Sequence, residues 1–408
     1  MQQRNLAAGA GATAVEQPAH SATAFIASFL GWTLDAFDFF VLVFVIPVIA
    51  KDFHRPLSDI AFTITMTLIM RPVGALIFGW MADVYGRRLP LLIDVVFYSA
   101  VEVLSGLAPS YGWFLFLRAL YGIGMGGEWG VGASLAMEAV SSKRRGLMSG
   151  LLQEGYAFGY LLAAAAFFFI YPVFGWRALF FTGGLPALLT LFIRAKVPES
   201  RAWERHRPQA REIVAAIRGN FGGFMYMIAL MTMMNLISHG TQDMYPTFLE
   251  HQRHFDPHRV AAMAIIYNIG AIAGGLFFGE FSDRMGRRRA MIIAVLMAIL
   301  VLPLWIYAHS LWALAVGAFL MQAMVQGAWG VIPAHLVELS PPAVRGLFPG
   351  LAYQIGVLLA ANAAFVESLM AVRMGYANAL AAVAFTVLAV GAIVIALGRE
   401  RAGIDLHA

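Results

Sequence analysis

Residues 79–88 read GWMADVYGRR, and residues 279–288 read GEFSDRMGRR. Gly, Asp, Gly and two Arg recur at one spacing, 200 residues apart. The same offset relates Glu138 and Arg145-Gly146-Leu147 to Glu338 and Arg345-Gly346-Leu347, and Gly127, Trp129 and Gly130 to Gly327, Trp329 and Gly330. Chance does not hold one register across three separated blocks. The chain is therefore built from two copies of one unit, and such repeats place a shared site at their interface.

Composition says what the unit is made of. Of the 408 residues, 60% are hydrophobic and 12% charged, and the mean hydropathy is +0.74. So few charges cannot cover a water-soluble surface, which excludes the two or three soluble domains that length alone would suggest. Apolar runs lie at 25–50, 59–82, 89–108, 112–137, 146–170 and 177–195, then at 222–249, 259–282, 290–308, 311–337, 346–370 and 375–398. Each is about 20 residues or more with no alternation of period two, so each reads as a membrane helix and not a barrel strand. The expected fold is an all-α polytopic membrane protein of twelve spans in two pseudo-symmetric six-helix bundles. Its layout is a tail at 1–20, a half at 21–195, a linker at 196–220, a half at 221–398 and a tail at 399–408. The first twenty residues lack a basic n-region and a cleavage site, so they read as a tail and not a signal peptide. The linker mixes basic residues with Glu199, Glu204 and Glu212 and reads as a membrane-surface helix.

Charge sets the orientation. Twenty Lys and Arg fall in loops on the side shared with the N-terminus and six on the other, while Arg71 and Arg118 lie within spans. Both termini should be cytoplasmic, in a multi-pass protein of the cell membrane. The net charge of +5 sits in these loops, where phospholipid explains it better than nucleic acid.

The paired G-x-x-x-D-x-x-G-R-R loops resemble the signature of the major facilitator superfamily. That resemblance implies a charge network latching the halves at the cytoplasmic face, formed by Asp83, Arg87, Glu138, Arg145, Asp283, Arg287, Glu338 and Arg345. The residues agree, since a carboxylate beside a helix end can meet an N-terminal dipole or an Arg.

An ionisable residue inside a span costs ~2.5–3.5 kcal/mol on insertion scales and points to function by default. Asp35 and Asp38 lie three apart in the first span, and two carboxylates this close in low dielectric cannot easily both ionise. That suits a proton carrier. Arg71 lies near the midplane of the second span and keeps its charge, so it needs an anion: Asp35, Asp38 or a substrate carboxylate held by its planar fork. Glu128 in the glycine-rich fourth span is a further proton site, and Arg118 is read as structural, near the outer surface. In span 7, Asn235, Ser238, His239, Gln242 and Asp243 fall within an arc of about 140°, a polar face that suits a water-filled cavity. Asn235 and Ser238 share a register with Asp35 and Asp38, so the two polar faces are expected to meet across it. Gln354 in span 11 is a further candidate ligand or an interhelix contact.

The run Asn235-x-x-Ser238-His239-x-Thr241-Gln242-Asp243-x-x-x-Thr247 resembles, without departure, the N-x-x-[S/T]-H-x-[S/T]-Q-D-x-x-x-T signature of Jen-type lactate/pyruvate:proton symporters, in the sialate:proton symporter group. Gln354 and Gly356 fit that family's Q-x-G-N pattern, with Val357 in place of its Asn. The resemblance implies proton-coupled import of short monocarboxylates. Arg71 would anchor the acid with Asn235, Ser238, His239, Gln242 and Gln354, while Asp35, Asp38, Glu128, His239 and Asp243 handle the proton. The alternatives are a symporter of a larger aromatic or sialic acid, and a carboxylate sensor that does not transport. The expected partners are an organic acid anion, a proton and the bilayer, with no nucleic acid, and a monomer is expected.

No cofactor is expected, the proton gradient being the driving force. The chain has no Cys, which removes thiolate metal sites and cysteine nucleophiles. GIGMGGE lacks the G-K-[ST] ending of a phosphate-binding loop, and no nucleophile triad or metalloprotease helix is visible, so no enzyme is expected. His251, His254 and His258 flank Asp256-Pro257, which reads as a helix N-cap and not a metal site.

Overall fold

A computed structural model describes residues 18–406; the expected tail at 1–20 lies almost wholly outside them. The described residues are helical throughout. The first half contains α1 (Pro18–Asp52), α2 (Leu57–Tyr85), α3 (Arg88–Gly106), α4 (Tyr111–Ala139), α5 (Arg145–Gln153), α6 (Gly155–Phe169), α7 (Tyr171–Thr182) and α8 (Pro186–Lys196). The linker folds as two short helices, α9 (Arg201–Arg205) and α10 (Ala210–Gly219). The second half contains α11 (Phe221–Gln242), α12 (Tyr245–His251), α13 (Pro257–Met285), α14 (Arg287–Tyr307), α15 (Leu311–Leu339), α16 (Phe348–Ala360), α17 (Ala363–Met374) and α18 (Tyr376–Leu397).

Among the described residues ten spans are long and apolar enough to cross a bilayer, against twelve apolar runs. The two others are present as helices. One is α4, 29 residues long but diluted by Arg118, Glu128 and Glu138. The other is α7 with α8, broken at Gly183-Gly184-Leu185 before Pro186. Span 7 is also broken. Pro246 lacks the N–H that would bond the carbonyl of Gln242, so α11 stops there and α12 starts at Tyr245. The polar stripe of α11 therefore ends at a helix break. Asp256 caps α13, accepting the N–H of Arg259 at 3.1 Å, with Pro257 in the first turn.

The halves are joined at the end that bears the repeated loops. Gly86 and Gly286, at φ 94° and 99°, turn the chain between helices where a side chain would be strained. Each loop aspartate then caps a helix of the opposite half. Asp83 accepts the N–H groups of Gly346 and Leu347 at 2.7 and 3.0 Å, and Asp283 those of Gly146 and Leu147 at 2.8 and 3.1 Å. Arg87 pairs with Asp83 and Glu138 at 3.0 Å each; Arg287 pairs with Asp283 at 2.7 Å and Glu338 at 2.9 Å. Arg145 crosses to Glu338 at 2.9 Å and Arg345 to Glu138 at 3.7 Å. All eight expected latch residues thus lie in two clusters of four, each holding residues of both halves, and the latch is shut.

Two segments outside the repeat brace it. Glu199 of the linker accepts the N–H groups of Arg87 and Arg88. Burial pushes its carboxyl above the ordinary range, against the pull of its backbone N–H donors. Glu400 accepts the N–H groups of Arg287 and Arg288 at 3.1 and 2.9 Å. The carbonyls of Ile404 and Leu406 accept from Arg145 and Arg345 at 3.0 and 3.1 Å. Within the tail expected at 399–408, Glu400, Ile404 and Leu406 thus contact the latch.

Candidate functional site

With one end shut, the polar stripe of α11 is reached from the other. His239 and Asp243 are 37% and 38% exposed, and Nδ1 of His239 lies 2.9 Å from Oδ2 of Asp243. Helix α15 supplies the adjoining wall. Gln242 donates to Gln322 at 2.7 Å, Gln322 to the carbonyl of Thr241 at 3.3 Å, and Gln326 to the hydroxyl of Ser238 at 3.4 Å. Asn235 differs: it is buried, and its amide donates to the carbonyl of Met231 at 2.7 Å. Gln354 is also sealed, with neither amide atom hydrogen-bonded. Neither faces the opening in this arrangement.

Arg71 of α2 is 5% exposed, and no carboxylate pairs with it among the described residues. Its guanidinium carbon lies 5.7 Å from the ring centre of Tyr353. Its Nε and Nη2 are buried without a hydrogen-bond partner. Tyr353 in turn contacts Trp129 at 4.5 Å and Trp329 at 5.9 Å, residues that share a register in the two halves. This aromatic cluster floors the opening. Tyr156 of α6, 38% exposed, lies within electrostatic range of Arg71 and, across the gap, of Asp243. A planar cation with free donors thus faces a wall of neutral hydrogen-bonding groups and one His–Asp pair. That arrangement can hold an anion.

Asp35 and Asp38 do not line this opening. Both are 0% exposed, turned into their own bundle, so the expected meeting with Asn235 and Ser238 does not occur. The cause is a set of polar partners inside the first half. The hydroxyl of Tyr121 donates to the carbonyl of Asp35 at 3.0 Å and reaches its Oδ1 at 3.4 Å. Arg118, two turns into α4 from its outer end, is fully buried inside the bundle. It pairs with Glu102, donates to Ser105 at 2.6 Å and stands 4.5 Å over the Tyr121 ring. Asp38 and Glu102 both pack against Gly183. Glu128 is 0% exposed with neither oxygen hydrogen-bonded.

The sequence reading passed over three buried acids. Asp94 and Glu102 lie in span 3 at positions separated by Tyr98, four residues from each, so all three share one helix stripe. The signal was available, since any acid within a span qualifies. Glu367 of α17 is buried, unpartnered and close to Gly240 behind the α11 stripe. Gln322 and Gln326 carry no charge and left no comparable mark.

Two six-helix halves, latched at one end and open at the other onto buried polar groups, define a membrane carrier. The chain belongs to the major facilitator superfamily. The model for "Sugar (and other) transporter" matches residues 23–264, and that for "Major Facilitator Superfamily" matches residues 221–405. A probable 4-methylmuconolactone transporter of Cupriavidus pinatubonensis is 30% identical, over 94% of this chain and 91% of that one. A carboxylic acid transporter protein homolog of Saccharomyces cerevisiae is 29% identical over 86% of this chain, which spans 61% of that protein's length. The fold is that of the proton:xylose symporter XylE, with TM-score 0.76, 18% identity, and 95% and 98% of the two chains covered. These relatives are transporters and not enzymes.

Proposed function

We propose that this carrier imports an organic monocarboxylate together with a proton, short acids such as lactate and pyruvate foremost. The observation that carries the reading is Arg71, a buried guanidinium with two unpartnered nitrogens beneath a water-accessible polar wall. A buried cation without an anion is costly, and a bidentate carboxylate removes that cost. Ser238, His239 and Gln242 then meet the carbonyl or hydroxyl oxygens of the acid, with Asn235 and Gln354 closing in as the cavity contracts. Asp35, Asp38 and Glu128 hold the proton away from the substrate, and the His239–Asp243 pair adds a titratable group at its edge. With the anion on Arg71 and the acids protonated, the centre carries little net charge, so closing it over and opening the latch become less costly. Empty Arg71 or ionised acids oppose closure, which links the two fluxes. The names of the relatives support an organic acid as cargo.

A larger, conjugated acid is the second reading. Tyr156 and Tyr160 are 38% and 44% exposed, and Tyr160 lies within electrostatic range of Tyr267 across the gap. Such rings suit a planar substrate better than three carbons do. Uptake of labelled lactate, pyruvate, nicotinate and sialic acid into proteoliposomes under an imposed pH gradient tests both. Gradient-dependent accumulation of lactate or pyruvate is expected. Preference for nicotinate or sialic acid favours the second reading, and no accumulation of any acid contradicts the proposal.

A further inference from the structure

The acids inside the first half are arranged by depth. α3 and α4 run antiparallel, with Tyr98 packed on Gly124, so Asp94 and Glu128, each one turn away toward the latch, fall at the same level. Glu102 lies about 12 Å above Asp94 along α3, by the rise of eight residues, and beside Arg118. Glu128 packs against Gly31, one turn below Asp35 on α1. Asp38, Glu102 and Arg118 thus form an upper level, Asp35 a middle one, and Asp94 with Glu128 a lower one, nearest the latch.

Among the described residues no cation pairs with the lower level. Both oxygens of Asp94 and both of Glu128 are buried without a hydrogen-bond partner. The charges that act on Asp94 are those of Glu128 and Asp35, and the charge that acts on Glu128 is that of Asp35. The other titratable group beside the pair is Tyr98 on α3, while Tyr121 on α4 and Arg71 on α2 reach Asp35 and not the pair. Two ionised carboxylates in such a place would cost far more than one helix contact returns. Packing does not require acids there. The register partners in the second half are Ala294 and Ala328, which fill the same positions without any charge.

We propose that Asp94 and Glu128 form the inner proton station of the transport cycle, receiving the proton from Asp35 and releasing it toward the latched end. When the latch opens, Glu128 gives its proton to water entering from that side. The O–H bond of Asp35 then breaks as one forms on the Glu128 carboxylate, with Asp94 retaining its proton and so adding no second charge beside the transient anion. Asp35 is left ionised, ready for a proton from the outer side. This inference rests on the proton-coupled reading given above, so its test needs one arm that is independent of substrate.

Infrared difference spectra of the reconstituted protein between acid and alkaline buffer form that arm. Part of the carbonyl stretch of neutral carboxylic acids should be absent at neutral pH in Asp94→Asn and in Glu128→Gln, while Asp52→Asn, at an exposed ion pair, keeps it. An unchanged band in both variants overturns the proposal. The second arm uses the acid that the wild type accumulates from the panel above. Both variants should lose accumulation above equilibrium while counterflow exchange persists, and Glu128→Asp should restore part of it. Wild-type accumulation in both variants overturns the proposal. Failure of every acid in the wild type overturns the coupled reading, and the infrared result still decides whether the pair holds protons.

Discussion

The two halves share a register but differ in where they carry charge. In the first half the acids are sealed: Asp35, Asp38, Asp94, Glu102 and Glu128 are all 0% exposed. In the second half, His239 and Asp243 stand more than a third exposed. The register partners explain the contrast. Asp94, Glu102, Arg118 and Glu128 correspond to Ala294, Leu302, Ala318 and Ala328, and Arg71 to Ala271. The first half thus carries an interior of ionisable groups, and the second has alanine and leucine at those places. Conversely Gly122 and Gly126 correspond to Gln322 and Gln326, the amides that extend the α11 stripe. A duplicated scaffold keeps its packing and latch twice; on the function proposed above, the sealed acids of the first half would hold the proton, while the cargo would lie between Arg71 of the first half and the α11 wall of the second.

The largest expected effect lies where the two tasks meet. Arg71→Lys keeps the charge and loses the fork, so acid binding should weaken by about 2–5 kcal/mol, roughly 30-fold to several thousand-fold in Kd. Titration calorimetry of the purified variant reads this, and an unchanged Kd removes Arg71 as anchor. Next is the latch, where both halves contribute equally. Asp83→Ala removes one of the two carboxylates paired with Arg87, leaving Glu138, and orphans two N–H groups of the opposite half in a buried place, which should cost about 2–5 kcal/mol. A lowered Tm in detergent is expected, and an unchanged Tm would show that the network contributes nothing to closure.

The difference in accessibility is open to direct attack because the natural chain has no Cys. Ser238→Cys should react with an impermeant thiol reagent added to the open side, while Ser99→Cys on buried α3 should stay unmodified. Equal labelling would erase the contrast between the halves. His239→Gln keeps a hydrogen-bonding side chain and cannot titrate. Its acid binding should lose part of its pH dependence with only a few-fold loss of affinity. The wild-type profile in that variant would reduce His239 to an interhelix contact. Gln326→Ala should have the smallest effect, about 0.5–1.5 kcal/mol, seen as a roughly 2- to 10-fold rise in KM.

Much of this was legible in the sequence. The repeat and the helical spans follow from one spacing and from the apolar runs, and the latch residues from what the resemblance of the repeated loops implies. Arg71 and the α11 stripe were legible as candidates for the same reason. What the sequence did not convey was which way a polar helix face turns. Asp35 and Asp38 share a register with Asn235 and Ser238, and equal positions suggested facing positions. The deciding partners, Tyr121 and Arg118, are on another helix, and only packing brings them to α1. The helix breaks at Gln242 and Ala360 were hidden by continuous hydropathy, although Pro246 marked the first. The role of 399–406 was hidden because its contacts with Arg145 and Arg345 are made by backbone carbonyls, which any sequence carries.

The claim that the sealed acids of the first half hold the proton meets its most direct test in one assay. Proteoliposomes hold a pH-sensitive dye inside, and the acid that the wild type accumulates is added outside. The wild type should acidify the lumen as the acid enters. The double variant Asp35→Asn with Asp38→Asn should exchange labelled acid across the membrane and leave the lumen pH unchanged. Acidification at the wild-type rate in the double variant would contradict the account.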